Sequence, residues 1–492
     1  MNITLRLPET DRECLVVLAI VYLLLRLPLL TFLPLVQDEN LYAMMAQEQL
    51  QHLTLIPTFL GYPVSWKPPL TFWVYAGFSK ILSGLLPLEA VYRLPSVLFG
   101  LLAIPPLYFL LRNAGSSRLF AFFTVLMLIV SIVAVYTQAA FLTDSLMFLL
   151  ICTSLWLYTE IRLPAWRFLA AGALAFAAFF VKLVIAFMIP LLALAYFYVY
   201  RREALRNPLF LVSLLAVPAA FLLNFALLQS SSLAMQLYVS DIGGHLVNSN
   251  GAGTETVQLV DSISTFMSTC SIWFALSLYG LWKYWKTEPF MAFWYILLVF
   301  PLLGGAFMPW YFLPVMPAVA YFATAALIRW EGREKPDRFF LIVLSFVLLL
   351  NLALLAFYYA GIREEFLPQK EVGLLLAGKE NVLVIGSDAP GIIAYKTLTE
   401  QRSTGNSLDV GWIVTANNLS ADVIRTYVAD YHSMKYPIVD GSFSSMFTNN
   451  AMFRKNSNLT SFDYVAVSDG QGVYLPGFHV IYNESYVTIY ER

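Results

Sequence analysis

Long apolar runs alternate with short polar segments from residue 14 to residue 361. About 20 apolar residues in a helix are needed to cross about 30 Å of hydrocarbon. The pattern therefore predicts a polytopic α-helical membrane protein with about eleven spans. The predicted spans are 14–35, 90–111, 119–137, 144–160, 166–181, 183–200, 208–229, 257–282, 289–307, 309–328 and 339–361. Lys182 alone separates two of these runs, and we interpret it as the outer boundary of a helical hairpin.

Composition supports a membrane protein. Of 492 residues, 59% are hydrophobic and 12% are charged, whereas soluble chains carry roughly 25% charged residues. The formal net charge of -1 gives no argument for a nucleic-acid partner. The three cysteines lie in or beside apolar runs and lack the spacing of a metal site.

Basic residues mark every second loop, which predicts that these loops and the N-terminus are cytoplasmic. They are Arg6, Arg12, Arg112, Arg118, Arg162, Arg167, Arg201, Arg202, Arg206, Lys283, Lys286, Arg329, Arg333, Lys335 and Arg338. The opposite, outer face then receives the loop 36–89, the loop 230–256 and the tail after residue 361. We expect an integral protein of the plasma membrane with an extracytoplasmic active site.

The composition changes after residue 361, where span-length apolar runs end. Short strand patterns and helical patterns alternate there. They predict a small extracytoplasmic α/β domain over 362–492 that follows a membrane domain over 1–361. The predicted strands are 381–386, 436–440, 464–467 and 479–482, with helices near 390–401 and 420–432.

The first outer loop, 36–89, is long, and long loops in compact proteins tend to be functional. Near its start it carries the adjacent carboxylates Asp38 and Glu39. Carboxylates are costly to hold at the edge of hydrocarbon, which favours a functional role. The alternative for Glu39 is a solvated position at the membrane interface.

Two further charged residues are predicted on the same face. Lys67 precedes Pro68 and Pro69, which fix the backbone, and its compact charge suits a phosphate. Asp144 stands at the beginning of a later span. Two carboxylates and a lysine can deprotonate a hydroxyl and neutralise a departing phosphate. The alternatives are a lysine that anchors a helix to headgroups and an aspartate that caps a helix.

Several motifs occur in an order that resembles the GT-C glycosyltransferases, which use polyprenyl-phosphate sugars. The resemblance is strongest to the protein O-mannosyltransferase and lipid A aminoarabinose transferase superfamily, and it covers about residues 1–330. The motifs are Asp38-Glu39 with Tyr42, Lys67-Pro68-Pro69-Leu70, Tyr92-Arg93-Leu94-Pro95-Ser96, Asp144 and Trp310-Tyr311-Phe312-Leu313-Pro314.

The resemblance implies roles for these residues. Asp38 corresponds to the catalytic carboxylate, and Asp144 helps to shape the acceptor or metal site. Apart from the resemblance, we expect Glu39 to tune Asp38 through like-charge repulsion. Lys67 and Tyr311 are implied to bind the donor phosphate or line its pocket. Tyr42, Trp66 and Arg93 are assigned to the substrate pocket.

Two positions depart from the family pattern. His245 stands where an arginine is expected, which predicts a weaker or pH-dependent phosphate contact. Trp66 stands where an acidic residue often precedes the lysine, so a divalent metal at Asp38 and Asp144 stays open and no cofactor is certain.

The function predicted from the sequence is an inverting glycosyltransferase, with a hexosyl or pentosyl group moved from a polyprenyl- or dolichyl-monophosphate. The acceptor is a hydroxyl of a protein, a lipid-linked glycan or a lipid on the outer face. The predicted partners are this donor, the acceptor and membrane lipid. The alternatives are a transporter or lipid flippase, which would more often show mid-membrane charges and repeat symmetry, and a noncatalytic assembly subunit.

Overall fold

The computed structural model describes a largely helical chain. The described residues are 8–36, 38–59, 62–64, 67–229, 235, 272–297, 309–328, 338–379, 382–385, 389–404, 412–414, 463–468, 479–484 and 487–491. Their helices are α1 (Asp11–Arg26), α2 (Leu29–Phe32), α3 (Asp38–Gln51), α4 (Pro69–Leu82), α5 (Leu88–Asn113), α6 (Arg118–Val130), α7 (Ile132–Ala139), α8 (Thr143–Thr159), α9 (Arg167–Lys182), α10 (Met188–Tyr200), α11 (Pro208–Leu214), α12 (Ala216–Leu228), α13 (Ile272–Tyr284), α14 (Pro289–Ile296), α15 (Met316–Ile328), α16 (Arg338–Leu376) and α17 (Ala389–Thr404). Short 3-10 helices cover Leu183–Phe187, Arg202–Arg206 and Pro309–Val315.

Apolar helices long enough to cross a membrane occur where the sequence predicts them. Within the described ranges they are Asp11–Phe32, Leu88–Asn113, Pro208–Leu228 and Trp310–Ile328, with α6 and α7 as a fifth if the bent pair is one span. Large apolar side chains on these helices are exposed, for example Leu24 at 69% and Leu222 at 66%, which suits contact with lipid. The protein is an integral membrane protein. The predicted spans 257–282 and 289–307 lie partly outside the described residues.

The predicted span 119–137 is two helices, which meet at Ser131 with a bend of 64°. Ser131 caps the second helix, because its hydroxyl accepts a hydrogen bond from the Ala134 backbone N–H at 3.2 Å. The buried Arg26 guanidinium donates to the Ile129 carbonyl and to the Gln138 side chain, both at 2.9 Å. Arg26 of α1 therefore stabilises the bend between α6 and α7.

The C-terminal region has a mixed sheet next to two helices. Its strands are β3 (Val382–Ile385), β4 (Trp412–Val414), β5 (Tyr464–Ser468), β6 (His479–Glu484) and β7 (Val487–Glu491), after a short hairpin of β1 (Thr58–Phe59) and β2 (Tyr62–Pro63) in the first loop. The sheet order is β4-β3-β5-β7-β6, with β3 parallel to β4 and β5, and β7 antiparallel to β5 and β6.

Three predicted strands match β3, β5 and β6, and the helix predicted near 390–401 matches α17. The sequence reading missed β4 and β7. The predicted strand 436–440 and the predicted helix 420–432 lie outside the described residues. Helix α16 runs through residue 361 without a break, and α17 packs against both α16 and α3. The C-terminal region thus contacts the first loop.

Candidate functional site

The loop that was predicted to carry chemistry is folded around α3 and α4. Helix α3 begins at Asp38, directly after the first apolar helices, and most of its first three turns are buried. Helix α4 begins at Pro69, where the missing N–H and the fixed φ of proline suit a first helical position. Lys67 therefore lies just before a fixed helix start.

A chain of three polar side chains joins these two helix starts. The Lys67 ammonium donates to the Tyr42 hydroxyl at 2.6 Å, and that hydroxyl donates to Asp38 Oδ2 at 3.1 Å. The Lys67 nitrogen also lies 5.0 Å from the centre of the Tyr42 ring. Burial raises the pKa of Tyr42, and the negative charge of Asp38 raises it further. Tyr42 therefore stays protonated and can donate to the carboxylate.

A second charged pair comes from two other helices. Asp144 lies in the first turn of α8, and its Oδ1 accepts from the Lys182 ammonium at 2.6 Å. The side chain of Asp144 is 2% exposed and that of Lys182 is 17% exposed. The same ammonium lies 4.3 Å from the centre of the Tyr311 ring, a distance suited to a cation–π contact.

The two charged groups share one site. The charges of Asp38 and Asp144 both act on the Tyr42 hydroxyl, and those of Lys67 and Asp38 both act on Lys182. Interactions of this kind weaken with distance. The site therefore combines two carboxylates and two ammonium groups.

Glu39 occupies a different environment from its neighbour. Arg93 donates through Nε to Glu39 Oε1 at 2.8 Å and through NH2 to Glu39 Oε2 at 2.5 Å. The same two oxygens accept from the backbone N–H groups of Phe141 at 2.7 Å and Val36 at 3.0 Å. Glu39 is 1% exposed, so the alternative of a solvated interfacial carboxylate is wrong. A fully bonded carboxylate of this kind fixes the loop around Asp38.

An aromatic cluster forms the wall next to Asp38. The Phe141 ring stacks on Tyr75 with centroids 4.1 Å apart and on Tyr92 with centroids 5.5 Å apart. Tyr42 meets Phe141 edge to face at 6.0 Å. Tyr42 is 2% exposed in this cluster.

The structure thus brings together Asp38, Tyr42, Lys67, Asp144 and Tyr311 among the predicted residues. Glu39 and Arg93 form the buried clamp beside them. Asp144 does not cap its helix, because the N-cap position belongs to Leu142. Trp66 and His245 lie outside the described residues.

Lys182 is a candidate site residue that was not predicted from the sequence. We interpreted it as a hairpin boundary, but its ammonium reaches Asp144, 38 positions away in sequence. Helix α9 ends at this residue, and a 3-10 helix follows directly. A single charge within a long apolar stretch is by default a functional candidate, and this signal could have identified it.

The described residues offer poor support for a divalent cation. No group of three or more His, Cys, Asp or Glu side chains converges within them. The Asp144 carboxylate, one of the two proposed ligands, is already paired with an ammonium group, which would repel a cation.

Comparison with known proteins adds a family match. Residues 66–225 match the family model described as dolichyl-phosphate-mannose-protein mannosyltransferase. This region contains Lys67, Arg93, Asp144 and Lys182. A comparison with curated protein sequences gives no match.

Solved structures share the fold over nearly the whole chain. ArnT from Cupriavidus metallidurans bound to undecaprenyl phosphate aligns with a TM-score of 0.61 at 16% identity, over 96% of this chain and 97% of that chain. Its apo state aligns with a TM-score of 0.58 at 15% identity, over the same shares. The apo oligosaccharyltransferase of Archaeoglobus fulgidus gives 0.52 at 10% identity, over 93% of this chain and 69% of that chain. At such identities the likeness concerns the fold.

Proposed function

We propose that this chain is a GT-C glycosyltransferase of the protein O-mannosyltransferase and lipid A aminoarabinose transferase superfamily, and that it transfers one sugar from a polyprenyl or dolichyl monophosphate. The acceptor is a hydroxyl group of a protein, a glycan or a lipid, and the transfer takes place on the outer face of the membrane. The observation that carries this proposal is the bonded chain of Lys67, Tyr42 and Asp38, next to the pair of Asp144 and Lys182.

Asp38 is the general base in this reaction. Its side chain is partly exposed, and one hydrogen bond to it, from Tyr42, is found within the described residues. It removes the proton of the acceptor hydroxyl while the acceptor oxygen attacks the anomeric carbon in line. The bond from that carbon to the phosphate oxygen breaks with inversion, and the proton on Asp38 passes to solvent.

The lysines receive the leaving group. The electron pair of the broken bond stays on the phosphate oxygen, so the lipid phosphate gains negative charge as the bond breaks. Lys67, which lies just before the first turn of α4, neutralises this charge. Its ammonium is positioned by the hydrogen bond to Tyr42. Lys182 donates to Asp144 and adds a second positive charge to the site.

The test is sugar transfer from a purified polyprenyl-phosphate sugar by folded variants in detergent. Asp38→Asn keeps the shape of the side chain but loses the base, so turnover should fall by about 10²–10⁴-fold with donor binding retained. Lys67→Met keeps the apolar stem and loses the charge, so donor use should weaken by about ten- to a hundredfold.

The surface variant Lys80→Met is the matched control for Lys67→Met, because Lys80 is an exposed residue in the last turn of α4. It should transfer sugar at the normal rate. Near-normal turnover by a folded Asp38→Asn variant would contradict the proposal and leave a carrier or a noncatalytic subunit as the better explanation.

A further inference from the structure

Helix α17 from the C-terminal region contacts the segment that leads into Asp38. Its Tyr395 is 1% exposed. The Tyr395 hydroxyl accepts a hydrogen bond from the Leu35 backbone N–H at 2.5 Å and donates to Glu89 Oε1 at 3.1 Å. The two residues Leu35 and Tyr395 are 360 positions apart in sequence. A single hydroxyl thus joins the C-terminal region, α5 and the segment before α3.

The segment 33–36 has no regular secondary structure, and side chains satisfy its backbone groups. Arg93 donates to the carbonyls of Leu33 and Pro34, both at 2.6 Å. Asn40 donates to the Leu35 carbonyl at 3.2 Å. Because buried backbone groups need partners, these contacts fix the path of the chain just before Asp38.

The Leu35 N–H depends on Tyr395. Within the described residues, the Tyr395 hydroxyl is the partner found for this buried N–H. Without that hydroxyl the N–H would be left buried and unsatisfied, which favours a shift of the segment. Leu35 lies three positions before Asp38, so such a shift reaches the carboxylate directly.

The hydroxyl itself is held in one orientation. Its acceptor, Glu89, is buried and pairs with the Lys370 ammonium of α16 at 2.6 Å. Glu89 lies one helical turn before Arg93 on α5, so one helix anchors the segment through both residues. Burial raises the pKa of Tyr395, and the charge of Glu89 raises it further. Tyr395 therefore stays a donor to Glu89.

Two glycines permit this close packing. A Cβ atom at Gly373 of α16 would lie 2.5 Å from Tyr395 Cβ. A Cβ atom at Gly391 of α17 would collide with the Gln369 side chain and lie 3.3 Å from Asn40 Nδ2. The helices thus approach each other at positions where only glycine fits without a shift.

We propose that Tyr395 is a positioning residue for Asp38, through which the C-terminal helices α16 and α17 set the geometry of the catalytic loop. The proposal rests on the function proposed above, in which Asp38 is the base. Tyr395 does not touch the reacting groups. It acts through the Leu35 N–H and the short segment between Leu35 and the start of α3.

Tyr395→Phe removes the hydroxyl and keeps the ring. We expect kcat for sugar transfer to fall about tenfold while KM for the polyprenyl-phosphate sugar stays unchanged, because Lys67 is not moved. The matched control is Tyr464→Phe. Like Tyr395, Tyr464 donates its hydroxyl hydrogen to a glutamate, here Glu491, and it accepts from the Lys379 ammonium. These contacts lie within the C-terminal region, so loss of this hydroxyl should leave kcat unchanged.

The decisive measurement is the same change in an Asp38→Asn background. If Tyr395 acts by positioning Asp38, Tyr395→Phe should cause little further loss once the base is gone. An equal fold-loss in both backgrounds would indicate a general structural effect and overturn the proposal. Unchanged kcat in Tyr395→Phe alone would also overturn it.

The double change Glu89→Ala with Lys370→Met is the second variant, for the case that Tyr395→Phe does not fold, because it leaves no unpaired charge from the pair of Glu89 and Lys370. It keeps the Leu35 N–H bonded to Tyr395 but removes the acceptor that orients the hydroxyl, so a smaller fall in kcat at unchanged KM is expected. Unchanged kcat here would count against the proposal. The proposed function has a separate test: it is contradicted if Asp38→Asn alone transfers sugar at the normal rate.

Discussion

Lys182 and Asp144 form an ion pair whose carboxylate is almost fully buried. Removing one member of such a pair leaves an uncompensated charge, which typically destabilises a protein by about 3–5 kcal/mol, whereas replacing both members by neutral residues is often tolerated. The pair therefore allows a test that separates folding from transfer.

We expect Lys182→Met to lower thermal stability strongly and the double variant Lys182→Met with Asp144→Asn to recover most of it. Transfer should stay low in both variants, because both have lost the positive charge of Lys182 and the double variant has also lost the carboxylate that we expect to orient the acceptor. Thermal unfolding in detergent and the transfer assay give the two readouts. Arg162→Met is the control, since the Arg162 side chain is 85% exposed where it pairs with Glu160, and an ion pair with such an exposed member contributes about 0–1 kcal/mol. Recovery of transfer in the double variant would show that the pair is only structural.

At the scale of elements, the clamp between Glu39 and Arg93 fixes the start of α3. Both residues are buried, and the guanidinium also holds two backbone carbonyls of the preceding segment. Glu39 therefore acts on Asp38 through the position of the helix start. This mechanism replaces the like-charge tuning that the adjacent carboxylates suggested.

Glu39→Gln should consequently destabilise the protein by about 3–5 kcal/mol, because the buried Arg93 loses its counter-charge. The amide keeps the size of the side chain, so the loss is one of charge and not of packing. The measurement is the midpoint of thermal unfolding, with the exposed Glu203→Gln as a control of the same chemistry. A normal midpoint in Glu39→Gln would mean that the clamp does not hold α3.

Apolar run length predicted α5, α8 and the span Pro208–Leu228, which α11 and α12 form together, because insertion of a helix in a membrane depends on composition over about 20 residues. The bend between α6 and α7 escaped prediction, since Ser131 interrupts the backbone without interrupting the apolar run. Strands β4 and β7 are only three and five residues long. Short apolar runs of that kind carry little periodic signal.

The site was predictable from the sequence where its residues belong to local motifs. Asp38 and Lys67 lie in one unusual loop, and their family motifs are local in sequence. The partners of Asp144 and Leu35 are not local, because Lys182 and Tyr395 reach them from 38 and 360 positions away. A contact of that kind depends on how helices pack, which a single sequence does not encode in its local pattern.

On the scale of the whole molecule, helix α17 and the C-terminal part of α16 lie next to the segment that leads into the site. Asp38 follows α1 and α2, Asp144 begins α8 and Lys182 ends α9, and these ends meet at one place. Tyr395 of α17 bonds the segment directly before Asp38. The alternating basic loops, which are independent of these contacts, predict that the site lies on the outer face.

A topology reporter tests this arrangement. We expect a reporter fused after Arg492 to be extracytoplasmic and one inserted near Arg333 to be cytoplasmic, since Arg333 lies in a loop with three further basic residues. A second measurement reports the side of the site itself. A cysteine is introduced at Lys80, an exposed position of α4 in the loop 36–89, and its reaction with a membrane-impermeant thiol reagent is measured. If the tail reporter and this cysteine lie on opposite sides, the Tyr395 contact and the proposed architecture are both wrong. If both lie in the cytoplasm, the fold stands, but transfer on the outer face does not.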